Sequence, residues 1–475
     1  MAKNCLIGVI LLLAVSNLSL AQTITRLNHQ SPGGAILTFQ LTDGTVIAQG
    51  NNDSSWWKLT PDNAGSYVNG TWTQVASLPA GYVPDAFASA VLGDGRLVIV
   101  GGEYNSGNFT LTNLGAIYDP AANTWASLAP PKSWLYIGDS PAVVLPNGKF
   151  LVGNKLTKQI AALDPKTLTW QIVPSAGKAD FDAEEGWTLL PNGTILTADV
   201  KDAPNSEIYT PSAGAWASAG STIVDLHSPS PDGCIHYGPG GKLCYYPPGE
   251  IGPQILRPDG TVFVTGSYTS GGSGAGHTAV YSPTAGWSVG PDFPHGDNAG
   301  DSFAALLPSG NVLVEGDSGT SYEFNGSTLT AGPATFGCLM VLPTGQVLVG
   351  GSEVYTSTGT YSPSWAPAIL SVPKTVVRGT TYKISGTQFN GLSQAAAFGD
   401  EYQTATNYPL VRITNNSTGH VFYAKTHNHS TMGVATGTAV VSTRFDVPAG
   451  METGASTLEV VANGIPSPAV SITVN

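Results

Sequence analysis

Charged side chains are scarce in this sequence of 475 residues. Lys and Arg number 19 and Asp and Glu number 32, so charged residues make up 11% of the chain and the net charge is -13. Binding to nucleic acid depends on clusters of Lys and Arg that neutralise phosphates, so this composition argues against a nucleic-acid partner. It gives no support for a role at a membrane surface either.

Long apolar runs are absent beyond the N-terminus, so no membrane span is predicted. The first segment, MAKNCLIGVILLLAVSNLSLAQ, has Lys3, an apolar run and small residues at Ser19 and Ala21. These features are typical of a cleavable secretory signal, which we predict over residues 1–21. We therefore expect a secreted protein, either extracellular or periplasmic.

Cysteine is also rare, with 4 residues, and Cys5 lies in the predicted signal. Cys234 and Cys244 flank the segment IHYGPGGKL, which is a predicted hairpin. In an oxidising compartment we expect these two cysteines to form a disulfide. Cys338 begins a predicted inner strand and is expected to be a buried thiol.

What the chain does contain is a repeated phrase: an apolar strand, a tight turn that ends in Gly, and a second apolar strand. A spacing of about 50 residues is typical of kelch repeats. Seven copies predict an all-β fold, with a seven-bladed β-propeller over residues 22–364. The chain from Thr23 to Leu27 is expected to add the outer strand of the last blade. The turn glycines are Gly44, Gly95, Gly148, Gly193, Gly260, Gly310 and Gly345.

Residues 365–475 contain no copy of this phrase. Segments such as TTYKISG, PLVRITN and HVFYAKT alternate apolar and polar residues, and turns separate them. About 110 residues of short strands predict an immunoglobulin-like β-sandwich.

A secreted kelch propeller followed by such a sandwich resembles the galactose oxidase and glyoxal oxidase family, and the stretch FGDEYQTATNYPLVRITNNSTGHVFYAKTHNHST resembles that family's C-terminal domain. The resemblance implies a copper–radical centre that oxidises primary alcohols or aldehydes and makes hydrogen peroxide. Its copper ligands are two tyrosines, one of them crosslinked to a cysteine, and two histidines. The sequence THNHS matches the loop that supplies one histidine, and His427 is its counterpart.

The other ligands that the resemblance implies are missing. Phe87 occupies the position of the crosslinked tyrosine, and Thr335 and Phe336 occupy the positions of a Tyr-His pair. A phenylalanine has no oxygen that can bind a metal or be oxidised. We therefore expect no copper-radical oxidase activity, and copper is not an expected cofactor. His427 and His429 would share one face of a strand and chelate a different metal, or else be loop histidines bonded to the backbone.

Acidic residues recur at one position of the repeat, nine or ten residues before the turn glycine. Equivalent positions of a propeller surround one mouth of its channel, so we expect these carboxylates to converge, with His427 reaching toward them. A divalent cation would relieve their repulsion. Trp134 and Trp187 lie close by in the sequence and are expected to stack on a sugar ring. A solvated acidic rim is the alternative. The acids are Asp85, Asp139, Glu184, Glu250 and Asp301, and Glu185 follows Glu184.

These features predict a secreted kelch protein that binds an extracellular carbohydrate or cell-surface polymer at the acidic mouth. Two other classes stay open. One is an enzyme, either a residual copper oxidase or a carbohydrate hydrolase or lyase in which Asp139 and Glu184 act as acid and base. The other is a structural surface protein that binds no small ligand.

Overall fold

The computed structural model describes residues 22–51, 53–230, 233–268, 274–394, 396–398 and 401–475. The predicted secretory signal lies outside the described residues. Strands dominate the described chain, and the helices are short 3-10 turns. None of these helices has the length and apolar character needed to cross a bilayer. The 3-10 turns are Pro239–Gly241, Pro294–Gly296 and Pro363–Trp365.

Seven antiparallel sheets follow one another between residues 37 and 356 of the described chain, and most of their strands are consecutive in sequence. We number them sheet 1 to sheet 7 in chain order. Sheet 1 contains Leu37–Gln40, Val46–Gln49, Trp56–Thr60 and Thr71–Val75. Sheet 2 contains Ala88–Val91, Leu97–Val100, Gly115–Asp119 and Thr124–Ser127. Sheet 3 contains Ala142–Val144, Phe150–Asn154, Thr157–Asp164 and Thr169–Val173.

The later sheets repeat this order. Sheet 4 contains Thr188–Leu189, Ile195–Ala198, Asn205–Thr210 and Ala215–Ser221. Sheet 5 contains Ile251–Leu256, Val262–Gly266, Thr278–Ser282 and Gly286–Val289. Sheet 6 contains Phe303–Leu306, Val312–Glu315, Thr320–Phe324 and Leu329–Ala334, and Ala396–Phe398 pairs with its first strand. Sheet 7 contains Leu339–Val341, Val347–Val349 and Glu353–Thr356.

The fourth strand of sheet 7 is Thr23–Arg26, which pairs with Glu353–Thr356. This confirms the strand that we expected from the N-terminal segment. The first strands contact one another between sheets 2 and 3, 4 and 5, 5 and 6, 6 and 7, and 7 and 1. The first strands therefore surround a common axis, and the arrangement is consistent with a β-propeller.

The repeated glycine closes the hairpin between the first two strands of each sheet. In sheet 1, the Leu41 amide donates to the Thr45 carbonyl at 2.8 Å, and Gly44 has a φ of +77°. A left-handed residue at this place is typical of hairpin turns, and glycine adopts it without strain. A side chain at Gly44 would also collide with the ring of Tyr423 from the C-terminal part of the chain.

Tryptophans in the outer strands join neighbouring sheets. The ring of Trp125 in sheet 2 lies 4.8 Å from that of Trp56 in sheet 1. The indole of Trp170 donates to the Ala129 carbonyl at 2.7 Å, and that of Trp287 donates to the Ser206 hydroxyl at 2.8 Å. These rings therefore stabilise the contact between successive sheets.

The C-terminal strands form a further, mostly antiparallel array with its own hydrophobic core, which includes Val411, Phe445 and Leu458. Its residues reach the turn end of the first sheets: the Thr426 amide donates to the Thr42 carbonyl at 3.0 Å. The strands are Ala368–Ser371, Thr375–Val376, Thr381–Thr387, Leu410–Asn415, Val421–His427, Val441–Asp446, Gly454–Ala462, Ile465–Pro466 and Val470–Val474.

Two small insertions lie outside the seven sheets. Pro84–Asp85, Tyr104–Asn105 and Asn108–Phe109 form a three-stranded sheet, and Ile235–Tyr237 pairs with Leu243–Tyr245. The second insertion carries the expected disulfide, with the Cα atoms of Cys234 and Cys244 5.5 Å apart. Cys338 is buried and free, and burial raises the pKa of its thiol to about 11. Both cysteine predictions are thus confirmed.

Candidate functional site

The repeated acids lie at the ends of the first strands that are opposite the glycine turns. Each acid precedes its first strand by one to four residues, as Asp139 precedes Ala142 and Asp301 precedes Phe303. Because the first strands surround one axis and run in the same sense, their starting ends meet at one end of that axis. The structure therefore places Asp85, Asp139, Glu184, Glu250 and Asp301 at one end of the molecule.

A cavity of about 500 Å³ opens at this end, and we call it the axial cavity. Asp85 and Asp301 line it and are exposed to solvent. Tyr402 enters from the C-terminal part of the chain, and its hydroxyl donates to Asp85 Oδ1 at 3.0 Å. Its ring packs edge-on against Phe87 at 5.0 Å. Glu401 and Phe336 also line the cavity.

Lys155 lies beside the axial cavity with its side chain fully buried between two of the acids. Its ammonium donates to Asp139 Oδ2 and, at 2.5 Å, to Glu184 Oε1. The Tyr245 hydroxyl, from the disulfide-bonded hairpin, donates to the same Glu184 oxygen at 3.0 Å. Burial raises the pKa of Asp139 well above its usual value, while Lys155 acts in the opposite direction. Lys155 thus compensates charge that would otherwise be buried alone.

Glu103 joins the same electrostatic group. Burial raises the pKa of Glu103 to about 7; Lys155 lowers it, and the charges of Glu184 and Asp301 raise it. The pKa of Asp301 rises to about 6, because surrounding protein removes water from one side of the carboxyl and Glu184 repels its charge. A hydrogen bond with Glu250 opposes that shift. Glu103 and Asp301 therefore both have raised pKa values, and each is affected by the charge of Glu184.

Two of these acids also have unusual backbone geometry. Glu184 has a φ of +60° and Asp301 a φ of +51°. A non-glycine residue seldom occupies this left-handed region, and such strain tends to concentrate at functional sites. Both residues lie just before a first strand, at the end of the axis where the acids meet.

Glu185 does not join the axial group, although it follows Glu184 directly. It is fully buried and lies 3.0 Å from the ammonium of Lys178. Lys178 belongs to a second group of acids between sheets 3 and 4. The adjacent residues Glu184 and Glu185 therefore belong to two different groups of charged side chains.

The structure contradicts the expectation that Trp134 and Trp187 stack on a sugar ring. Trp134 is 5% exposed and Trp187 is 2% exposed, so neither ring offers a face to a ligand. Both lie in hydrophobic clusters, and Trp187 packs on Trp216 with ring centres 5.9 Å apart. The aromatic ring that is exposed at the axial cavity is Phe336, with 69% of its surface accessible.

The structure does not bring His427 to the acids. His427 Nε2 pairs with Asp446 Oδ1 at 3.0 Å, and the next amide, of Asn428, donates to the Gly93 carbonyl. Gly93 lies at the turn end of the strand that Asp85 precedes, and an extended segment of that length spans about 25 Å. His429 follows the strand end, and its Nδ1 bonds the Thr443 hydroxyl at 2.8 Å. Burial lowers the pKa of His429 to about 3.

The chain is similar to known proteins in sequence and in fold. Two galactose oxidases of Gibberella zeae are 24% identical to it over 257 residues, which cover 51% of this chain and 35% of theirs. The chain thus spans about a third of the length of these curated relatives. A fungal alcohol oxidase of the AA5 family, solved in complex with copper, superposes with a TM-score of 0.51 at 14% identity, over 95% of this chain and 98% of that one. No family model matches the chain. The chain is therefore similar in sequence to galactose oxidases over about half of its length, and similar in fold to the alcohol oxidase.

The axial residues do not fit a copper–radical centre. Phe87 is buried against Tyr402, and Phe336 projects into the cavity, where the resemblance implies a redox tyrosine and a ligand histidine. None of the described residues that line the cavity is a histidine. The ionisable side chains that line the cavity are carboxylates and one phenol. Such oxygen groups are better suited to bind ligand hydroxyls or hard cations than to bind copper.

Four residues of the site escaped the sequence-based prediction: Lys155, Glu103, Glu401 and Tyr402. Glu103 and Lys155 lie eight and seven residues after their turn glycines, just beyond the second strand. Because the two strands are antiparallel, this place lies at the same edge as the start of the first strand. A scan of that second offset would have found both residues.

Replacing the buried ammonium, in Lys155→Met, is expected to lower the free energy of unfolding by about 3–5 kcal/mol at pH 7, because two buried carboxylates lose their counter-ion. The deficit should shrink as the pH falls. A carboxyl such as Asp139, whose pKa is raised in the folded state, stabilises the protein most at low pH and loses that contribution as the pH rises through the folded value.

Urea unfolding between about pH 3 and pH 7 measures this difference, since unfolded carboxyls titrate near pH 4. Lys132→Met, at an exposed position, is the matched control and should have little effect. A deficit of the same size at both ends of the pH range would contradict the counter-ion role.

Proposed function

We propose that this protein is an extracellular, galactose oxidase-like protein that binds a carbohydrate or another hydroxyl-rich surface polymer in the axial cavity. In this proposal residues 22–364 form a seven-bladed kelch propeller and residues 365–475 an immunoglobulin-like sandwich. The succession of seven sheets and the separate C-terminal core support that division. The disulfide supports an oxidising compartment.

The observation that carries the proposal is that Asp85, Asp301 and Phe336 line one cavity and are all open to solvent. Carboxylates accept hydrogen bonds from ligand hydroxyls, and charged acceptors form stronger bonds than neutral ones. The exposed ring of Phe336 offers an apolar surface to the C–H face of a sugar. The site thus combines the two kinds of contact that orient a small ligand in a pocket.

The negative charge at the cavity opening limits which sugars are expected to bind. Asp85, Glu401 and Asp301 surround the opening, and Lys155 is engaged deeper by Asp139 and Glu184. An anionic polymer would meet repulsion here. We therefore propose neutral or amino-bearing sugars as ligands, and not uronic or sulfated ones.

Changing Asp301 or Asp85 to Asn is expected to weaken binding of a neutral polysaccharide by about 1–3 kcal/mol for each charged hydrogen bond that is lost. A glycan array should identify the ligand, and titration calorimetry should measure its affinity. Asp53→Asn, at an exposed acid whose partner is Ser55, is the control. Equal effects of all three changes, or binding only of acidic glycans, would contradict the proposal.

We further propose that the protein lacks copper-radical oxidase activity, because Phe87 and Phe336 supply no oxygen or nitrogen ligand. Copper-loaded protein is expected to release no hydrogen peroxide from galactose, glyoxal or a panel of primary alcohols. A horseradish peroxidase-coupled assay measures this. Peroxide formation accompanied by a radical signal that reductant removes would show that the proposal is wrong.

An enzymatic role is the second candidate. Asp139 and Glu184, the acid and base considered from the sequence, both bind Lys155 and are buried, so they are poorly placed to exchange protons with a ligand. Asp301 is better placed because it lines the axial cavity, Glu103 interacts with it electrostatically, and burial raises the pKa values of both, to about 6 and about 7. A protonated Glu103 would act as general acid and an ionised Asp301 as general base.

If the protein cleaves a glycan, kcat/KM should rise through about pH 6, as Asp301 ionises, and fall through about pH 7, as Glu103 loses its proton. Reducing-end or ultraviolet assays on the ligands found by the array measure this profile. Glu103→Gln should remove the activity and leave ligand affinity largely intact. An activity that does not change with pH would show that Glu103 and Asp301 are not the acid and base. Ligand binding without any cleavage would contradict the enzymatic role and would be consistent with the binding role.

A further inference from the structure

A second group of buried acids surrounds Lys178, between sheets 3 and 4, and we call it the Lys178 cluster. It has one ammonium and five carboxyls, so its formal charge is strongly negative. Every member is at most 6% exposed. Burial of unpaired charge is costly, so such a cluster requires further compensation. Its carboxyls are Asp180, Asp182, Glu185, Asp199 and Glu207.

Lys178 cannot satisfy all of these groups. Its ammonium donates to Asp180 Oδ1 at 2.7 Å and Glu185 Oε1 at 3.2 Å, and it forms an ion pair with Glu207 Oε2 at 2.8 Å. Asp199 lies 3.9 Å from the ammonium, which is too far for a hydrogen bond. Neither oxygen of Asp199 has a hydrogen-bond partner among the described residues, although the residue is only 3% exposed.

The carboxylate of Asp199 lies close to two others. Asp180, Asp199 and Glu207 each offer one oxygen, and these three oxygens lie within 4.8 Å of one another. Calcium binds oxygen ligands at about 2.3–2.6 Å, so one ion between them would reach all three. The donor set contains only carboxylate oxygen, which hard cations prefer.

We propose that a hard divalent cation of the calcium type binds between Asp180, Asp199 and Glu207, beside Lys178. Calcium fits better than magnesium, because the ligands come from three separate places in the chain and calcium tolerates irregular geometry. The ion would enter from the loop after sheet 4's second strand, where Lys201 and Asp202 are exposed. The Asp202 amide already donates to Asp180 Oδ2 at 3.1 Å.

The cation site is separate from the ligand site of the proposed function, but it is connected to the axial cavity through Glu184. The segment from Lys178 to Glu185 is held to sheet 4 by the cluster, and Glu184 lies on that segment. A bound ion would therefore fix the position of Glu184 at the axis. The predicted role of the ion is structural support for the cavity.

Terbium luminescence tests this site directly, because terbium replaces calcium and a nearby tryptophan sensitises it. The ring centre of Trp216 lies 5.3 Å from the Lys178 ammonium. Chelator-treated protein is expected to bind terbium with one strong site, to emit on tryptophan excitation, and to lose the signal as calcium is added. Trp216→Phe should reduce the emission and leave the calcium affinity, measured by calorimetry, unchanged.

Asp199→Asn is expected to weaken calcium binding by on the order of tenfold or more. Asp225→Asn, at an exposed acid that pairs with His227, is the matched control and should bind normally. Asp180→Asn provides a second variant should Asp199→Asn prove poorly folded by circular dichroism. Asp301→Asn, in the axial cavity, should not change calcium affinity.

Three results would overturn the proposal. The first is the absence of any site occupied by terbium or calcium. The second is binding that Asp199→Asn and Asp180→Asn leave unchanged. The third is binding that Asp301→Asn removes, which would move the ion to the axial cavity.

Discussion

The ammonium of Lys155 lies between the carboxylates of Asp139 and Glu184, where no water can screen them. A propeller brings equivalent positions of its sheets to one axis, so an acid repeated from sheet to sheet produces mutual repulsion that grows with each copy. One buried cation offsets part of that repulsion and leaves the outer carboxyls, such as Asp301, free to face the cavity. The rest of the site depends on this compensation.

Both parts of the chain build the axial cavity. The seven sheets supply the acids, and the C-terminal part supplies Tyr402, whose hydroxyl binds Asp85. In the copper centre that the family resemblance implies, the C-terminal part would contribute a histidine. Here His427 is held by Asp446 at the other end of the first strands, and a phenol occupies the axis. The side chains at the axis therefore differ from the ligand set that the resemblance implies.

Sequence periodicity predicted the hairpins, the sheet-closing strand and the common end of the acids, because the glycine turn fixes the register of each sheet. It did not predict which side chains are open to solvent. Trp134 and Trp187 lie near the acids in sequence, yet packing between sheets buries both. Lys155 lies just beyond the second strand of sheet 3, where sheet 2 has Glu103, so that position of the repeat draws notice to it but does not reveal its role. Its importance arises from a contact with Glu184 in the next sheet, and such contacts are visible only in three dimensions.

The most direct test of the counter-ion account is a double-mutant cycle between Lys155→Met and Glu184→Gln, measured by urea unfolding at neutral pH. If the ammonium compensates Glu184, the double variant should be more stable than the sum of the single effects implies, by about 1–3 kcal/mol. Additivity to within about 0.5 kcal/mol would contradict the claim that Lys155 organises the axial acids.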